Sequence, residues 1–129
     1  MADDDEDDQY LIQQALRDIL GKHSIQTALN GLQVVDLLLE NREEEVVPLP
    51  DIILLDLNMP LLDGFGVLGK LRAHENTRSI PVFILSTSRF DHDRKRSEEM
   101  GASGFYSKPY QYEELKSIIR TICTAGASS

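Results

Sequence analysis

The stretch Pro50-Asp51-Ile52-Ile53-Leu54-Leu55-Asp56-Leu57-Asn58-Met59-Pro60 decides the fold. Large aliphatic residues fill positions 52–55, and the run closes on an aspartate. Such a run, bounded by prolines, reads as a strand buried on both faces, the kind found in parallel sheets. A carboxylate at its end is costly unless something solvates or pairs it. Ligands of open parallel sheets bind beyond the carboxyl ends of the strands, so Asp56 stands where chemistry is expected. Taken alone, Asp56 is equally well read as a cap on the turn before Pro60.

The flanking sequence alternates helical and strand patterns. Six acids, Asp3 to Asp8, lead into Leu11, Ile12, Ala15, Leu16, Ile19 and Leu20 at helical spacing. Asp7 or Asp8 is placed to cap this helix, and Gly21 to stop it. Ser24 to Leu29 is a short strand candidate. Asn30-Gly31 then turns into a second helix through Val34, Val35, Leu38 and Leu39. Asn41 to Pro50 is a long acidic loop. Beyond Asp56, a third helix is expected over Leu61–Ala73, with Phe65, Leu68 and Leu71 inward. Ile80–Leu85 is a second apolar strand ending in Ser86-Thr87-Ser88. A polar helix over Asp91–Met100 stops at Gly101. Ser103–Ser107 is a last strand, followed by Lys108-Pro109, and Tyr112, Leu115, Ile118, Ile119 and Ile122 mark a final amphipathic helix. Strands alternating with helices imply a doubly wound α/β domain with a parallel sheet. The expected domain spans residues 1–123, with 124–129 a frayed tail.

Composition narrows the function classes. The net charge of −9 argues against a nucleic-acid partner, which needs a basic face, and against an anionic membrane surface. No apolar run reaches the length of a membrane span, and no signal peptide opens the chain. The lone Cys123 cannot form an internal disulfide. A cytoplasmic location is the expectation. His23, His74 and His92 have no metal-ligand spacing and read as surface residues.

In a parallel sheet the strand ends share one rim. That rim would collect Asp56, Ser86 with Thr87, Lys108 and the N-terminal acids. Clustered carboxylates repel, by roughly 3 kcal/mol per pair at ~5 Å and an effective dielectric near 20. A divalent cation such as Mg²⁺, which favours oxygen ligands, removes that cost. One carboxylate can then act as a nucleophile toward phosphorus, while a lysine and a hydroxyl hold the transferred oxygens.

Over nearly its whole length the chain resembles the receiver domain of two-component response regulators. The resemblance rests on four motifs in order. They are Asp3-Asp4 before the first helix, Leu55 to Pro60 with Asp63-Gly64, Pro81 to Thr87, and Gly101 to Pro109. The loop before Asp56 and the Ser-Thr-Ser run look like the small single-domain regulators that partner phytochrome-type sensor kinases. The resemblance implies a flavodoxin-like, five-stranded parallel sheet. It implies that Asp56 is the phosphoacceptor and that Mg²⁺ is held by Asp3, Asp4, Asp56 and the Asn58 backbone carbonyl. Ser86 and Lys108 would bind the phosphoryl group, and Ser86 and Phe105 would form the switch. Asn58 and Ser88 would tune the lifetime of the phosphoryl group, and Lys108-Pro109 would be a cis peptide. Asp5 is the alternative register for the acidic pair. The implied partner is a sensor histidine kinase of the phytochrome type. A histidine phosphotransfer protein and a homodimer are left open. Output would come through a partner, since only a short tail follows the last helix.

One departure stands out. Receivers carry an interior apolar strand before the acidic pair, and here only Met1 and Ala2 precede Asp3. Losing that strand would leave its neighbours with unpaired backbone groups. Either the chain begins late and Met1 is a strand residue, or a partner supplies the strand, or the fold is compromised; the first is preferred. Two rival functions remain. A Mg²⁺-dependent hydrolase with an aspartyl nucleophile needs an acid where Asn58 stands. A non-phosphorylated adaptor has no need of the rim residues.

Overall fold

The computed structural model describes residues 1–21, 25–40, 50–87 and 90–127. His23, Ser24, residues 41–49 of the expected loop, Ser88 and residues 128–129 lie outside the described residues.

Helix α1 spans Glu6–Leu20. Its cap is Asp5, not Asp7 or Asp8: the Asp5 carboxylate accepts from the N–H groups of Asp7 and Asp8 at 2.9 and 3.2 Å. The helix starts early because its acidic first turn suits the positive end of the dipole. Gly21 ends it at φ 73°, donating its N–H to the Arg17 carbonyl. Asn30 caps α2, Gly31–Val35, which runs into a π-helical turn over Asp36–Glu40. Strand β1 is Ile53–Leu55, α3 is Gly64–Ala73, β2 is Val82–Ser86, α4 is Asp91–Glu99, and β3 is Gly104–Ser107. Helix α3 begins at Gly64 rather than Leu61. The Asp63 side chain caps it by accepting from Gly66 N–H, and Leu61 sits at φ 70°, which no helix can include. Helix α5 runs Tyr112–Ala127. The helix thus continues past Cys123 into the stretch expected to fray.

The sheet is parallel, with β2 central between β1 and β3. Two isolated bridges extend it. Ala2 lies between Ala28 and Leu55, parallel to both. Its N–H reaches Leu54 O at 2.8 Å, and its carbonyl accepts from Asp56 N–H at 2.9 Å. On the other side Ala28 N–H reaches Met1 O at 3.0 Å, and Asp3 N–H reaches Ala28 O at 3.1 Å. The order across the sheet is Ala28, Ala2, β1, β2, β3, so the five-stranded plan survives with its first two members reduced to bridges. Within the expected strand from Ser24 to Leu29, Ala28 is bridged to Ala2, and the Gln26 carbonyl accepts from the Met1 amino group at 2.7 Å.

Both faces of the sheet are buried, as the unbroken apolar runs predicted. Leu54, Phe83 and Leu85 pack against Ile12 and Ala15 of α1 and Leu115, Ile119 and Ile122 of α5. Ile53, Leu55, Val82, Ile84 and Phe105 pack against Val34, Leu38, Phe65, Leu68 and Leu71 on the other face. Each fully buried Leu or Ile contributes ~1.5–3 kcal/mol.

Two contacts outside the core lend themselves to measurement. Gly64 brings the start of α3 against β1: a Cβ there would collide with the Asp56 carbonyl oxygen and lie 2.7 Å from the Leu57 Cα. Gly64→Ala is expected to lower the unfolding free energy by about 1–3 kcal/mol in urea titration, because backbone on both sides must give way. The half-exposed Tyr112 donates its hydroxyl to Asp18 on α1 at 2.7 Å. Desolvation between α1 and α5, and then that carboxylate, push the phenol up to about 12. The folded state thus favours neutral Tyr112. Its contribution to stability is fully present below the ordinary tyrosine value near 10 and is lost as pH rises through about 12. In alkaline phenolate titration one of the four tyrosines should ionise late, and Asp18→Asn should return it toward the ordinary value.

Candidate functional site

The rim beyond the carboxyl ends of the strands gathers most of the residues named from sequence. Asp56 follows β1 directly, Ser86 is the last residue of β2, and Lys108 follows β3. Asp3 joins them because the Ala2 backbone is bonded on both sides. The Lys108 ammonium lies 2.6 Å from Asp3 Oδ2, 2.8 Å from Asp8 Oδ2 and 3.3 Å from Asp56 Oδ2. Its backbone N–H is fixed to Ser86 O at 2.8 Å.

Burial makes this cluster costly. The side chains of Asp3 and Asp56 are 3% and 5% exposed and that of Lys108 is 11% exposed. Burial pushes the Asp3 carboxyl up to about 6, against the opposing pull of Lys108. Burial also works against the Lys108 ammonium, but hydrogen bonds to Asp3 and Asp8 and the nearby Asp56 charge outweigh it, holding its affinity for the proton above the ordinary lysine value. Lys108 is therefore a permanent cation in the site.

One cation faces an excess of acid. Asp3, Asp4 and Asp56 each offer an oxygen, and these atoms lie within 4.8 Å of one another. Asp3 Oδ2 is buried, and what it meets there is the Lys108 ammonium at 2.6 Å. An all-oxygen acidic set with a buried, under-satisfied oxygen fits a hard divalent cation. The acids that cluster with Asp56 are Asp3 and Asp4, whereas Asp5 caps α1. Asp56 Oδ1 accepts from the Asn58 N–H at 3.3 Å.

Ser86 is fully buried, and Phe105 is 6% exposed beside Ile84 in the β2–β3 register. The Phe105 ring already points into the core. The Arg94 guanidinium of α4 lies 5.1 Å from its centroid. The Lys108-Pro109 peptide is trans, contrary to expectation; the intrinsic preference of an X–Pro bond is for trans. Ser88 lies outside the described residues. Asp8 was missed as a site residue. From sequence it reads as a helix cap within a charge run, and only its place in the first turn of α1, within reach of the ammonium, assigns it to Lys108.

The geometry joins a doubly wound parallel sheet to an acidic rim with one buried lysine. A model of the response regulator receiver domain matches residues 1–120 of the chain. This chain belongs to the response regulator receiver family. Rcp1 of Synechocystis sp., a response regulator, is 30% identical over 122 residues, covering 95% of this chain and 83% of Rcp1. The transcriptional regulatory protein PrrA of Mycobacterium tuberculosis is 34% identical over 122 residues. That match covers 95% of this chain and 48% of PrrA, so this receiver spans about half the length of such relatives. Among solved structures, the phosphorylated cyanobacterial phytochrome response regulator RcpA superposes with a TM-score of 0.88 at 31% identity, covering 98% of this chain and 91% of RcpA. The Mn²⁺-bound form of Rcp1 gives 0.83 at 30% identity, with 94% and 87% covered. The receiver is thus related to phytochrome response regulators, and its family is regulatory. Among the described residues, no helix is long and apolar enough to cross a membrane.

A cation that binds only the folded receiver must stabilise it. Mg²⁺ at a hundred times its Kd is expected to raise the unfolding free energy by about 2.7 kcal/mol. Thermal melts with and without chelator check this, and Asp4→Asn should reduce the gain.

Proposed function

We propose that this receiver is a phosphorylation-controlled signalling switch that takes a phosphoryl group on Asp56 from a sensor histidine kinase, with Mg²⁺ as cofactor. The observation that carries the reading is Asp56 itself. Its carboxylate is buried at the strand end, 3.3 Å from a permanently charged lysine and grouped with two further acids. The kinship with Rcp1 and RcpA supports a kinase of the phytochrome type.

Each residue has a physical task. An Asp56 oxygen attacks phosphorus and the new O–P bond forms, while the N–P bond to the donor histidine breaks and its electron pair stays on the imidazole. Lys108 turns from the carboxylate to the incoming phosphoryl oxygens and neutralises part of their charge. Ser86, buried at the end of β2, offers a hydroxyl to the same oxygens. Asn58 holds the other Asp56 oxygen through its N–H and so orients the attacking one. Asp3 and Asp4, with Asp56 and the Asn58 carbonyl, hold the Mg²⁺ ion directly or through water. When bound, that ion supplies charge neutralisation between the carboxylates and the transferred group. Phe105 and Ser86 would report the event to α4 and the β3–α5 face, with Asn58 and Ser88 setting how long the acyl phosphate survives. A histidine phosphotransfer protein or a second copy of the chain could then read that state in the cytoplasm.

The test is intact mass after treatment with acetyl phosphate and Mg²⁺. One phosphoryl group should be added, and Asp56→Asn should abolish the gain while the fold persists by circular dichroism. Unmodified wild-type protein with Mg²⁺ bound would point to an adaptor. Steady turnover of unrelated phosphate esters would point to a hydrolase.

A further inference from the structure

We propose that Asp8 is a positioning residue that gives the Lys108 ammonium a carboxylate to keep when a cation takes Asp3 and Asp56. The inference rests on the reading of the rim as a Mg²⁺ and phosphoryl site. The lysine has three carboxylate partners, and they differ in kind. Asp3 and Asp56 belong to the group whose oxygens lie within 4.8 Å of one another, whereas Asp8 does not. Asp8 also differs in exposure, at 33% for its side chain against 3% and 5% for Asp3 and Asp56. It is the partner on the solvent side.

Local structure holds Asp8 in that place. Asp5 caps α1 and accepts from the Asp8 N–H at 3.2 Å, which sets Asp8 in the first helical turn. From there its carboxylate reaches across to the end of β3 and accepts from Lys108 at 2.8 Å, between the 2.6 Å to Asp3 and the 3.3 Å to Asp56. An ammonium and a divalent cation repel and seek the same oxygens. With Asp8 present, Lys108 has a carboxylate of its own when Asp3 and Asp56 turn to the metal. Without it, the only carboxylates left to Lys108 among the three are those the metal needs. Lysine and cation then compete directly.

The consequence is specific to one position. Neighbouring Asp7 lies in the same turn and carries the same charge, but it is exposed and makes no ion pair with Lys108. Removing either carboxylate changes the net charge equally; only Asp8 removal releases the lysine.

The experiment is calorimetric titration of the whole chain with Mg²⁺ at neutral pH, comparing wild type, Asp8→Asn, Asp8→Glu and Asp7→Asn. Asp8→Asn should weaken Mg²⁺ binding about fivefold, a coupling ordinary for residues in contact, and Asp7→Asn less than twofold. Asp8→Glu should restore most of the affinity, because a longer stem still reaches the ammonium. With acetyl phosphate, the Asp8→Asn deficit should disappear at saturating Mg²⁺, which locates the defect in cation binding rather than in phosphoryl transfer. Equal weakening by Asp7→Asn and Asp8→Asn would reduce the effect to bulk charge and overturn the proposal, as would wild-type affinity in Asp8→Asn. Asp8→Ser gives the same reading should the amide variant not fold. Wild-type protein that fails to bind Mg²⁺ would remove the metal reading and this inference together. Normal wild-type binding with an unchanged Asp8→Asn would remove the inference alone.

Discussion

The Lys108 ammonium is the contact on which the rim depends. It ties the start of α1, the end of β1 and the end of β3 through Asp8, Asp3 and Asp56. Carboxylates buried this deeply cannot stay ionised together without a cation, and one lysine is too little for them all. The remaining imbalance is the chemical signature of the site. An excess of acid over cation of this kind suits a hard divalent ion.

The sheet makes this arrangement possible by an economical device. Ala2 alone stands where an interior strand is expected, yet its backbone is bonded to Ala28 on one side and to β1 on the other. Those hydrogen bonds fix the chain direction at the point where Asp3 must turn inward. Asp3 N–H is itself bonded to Ala28 O, and Gln9 supports the same spot by donating to the Asp3 and Ala28 carbonyls at 2.7 Å each. A single residue of pairing therefore suffices to place the acid, because the surrounding carbonyls all find donors.

Helix α4 is polar over most of its surface, with Ser97 its buried residue. Two of its arginines nevertheless lie over aromatic rings, Arg96 over Phe65 of α3 at 4.1 Å and Arg94 over Phe105 of β3 at 5.1 Å. A helix with so little apolar surface docks through cation–π contacts instead. It consequently lies directly against Phe105.

Periodicity and local chemistry in the sequence determined the doubly wound class, two buried strands (expected over 52–55 and 80–85, found at Ile53–Leu55 and Val82–Ser86), the inward Phe65, Leu68 and Leu71, and the convergence of Asp56, Ser86 and Lys108. These follow from rules that act over a few residues: strands buried on both faces are continuously apolar, and parallel strands end at one rim. The acidic run was different. Six consecutive acids carry no internal signal of which one caps, which binds a cation and which pairs with lysine. Only the three-dimensional structure separated Asp5, Asp3-Asp4 and Asp8, because the division depends on the bonding of Ala2 and the angle at which α1 leaves it. Those are contacts between segments far apart in the chain, where a local pattern has no reach.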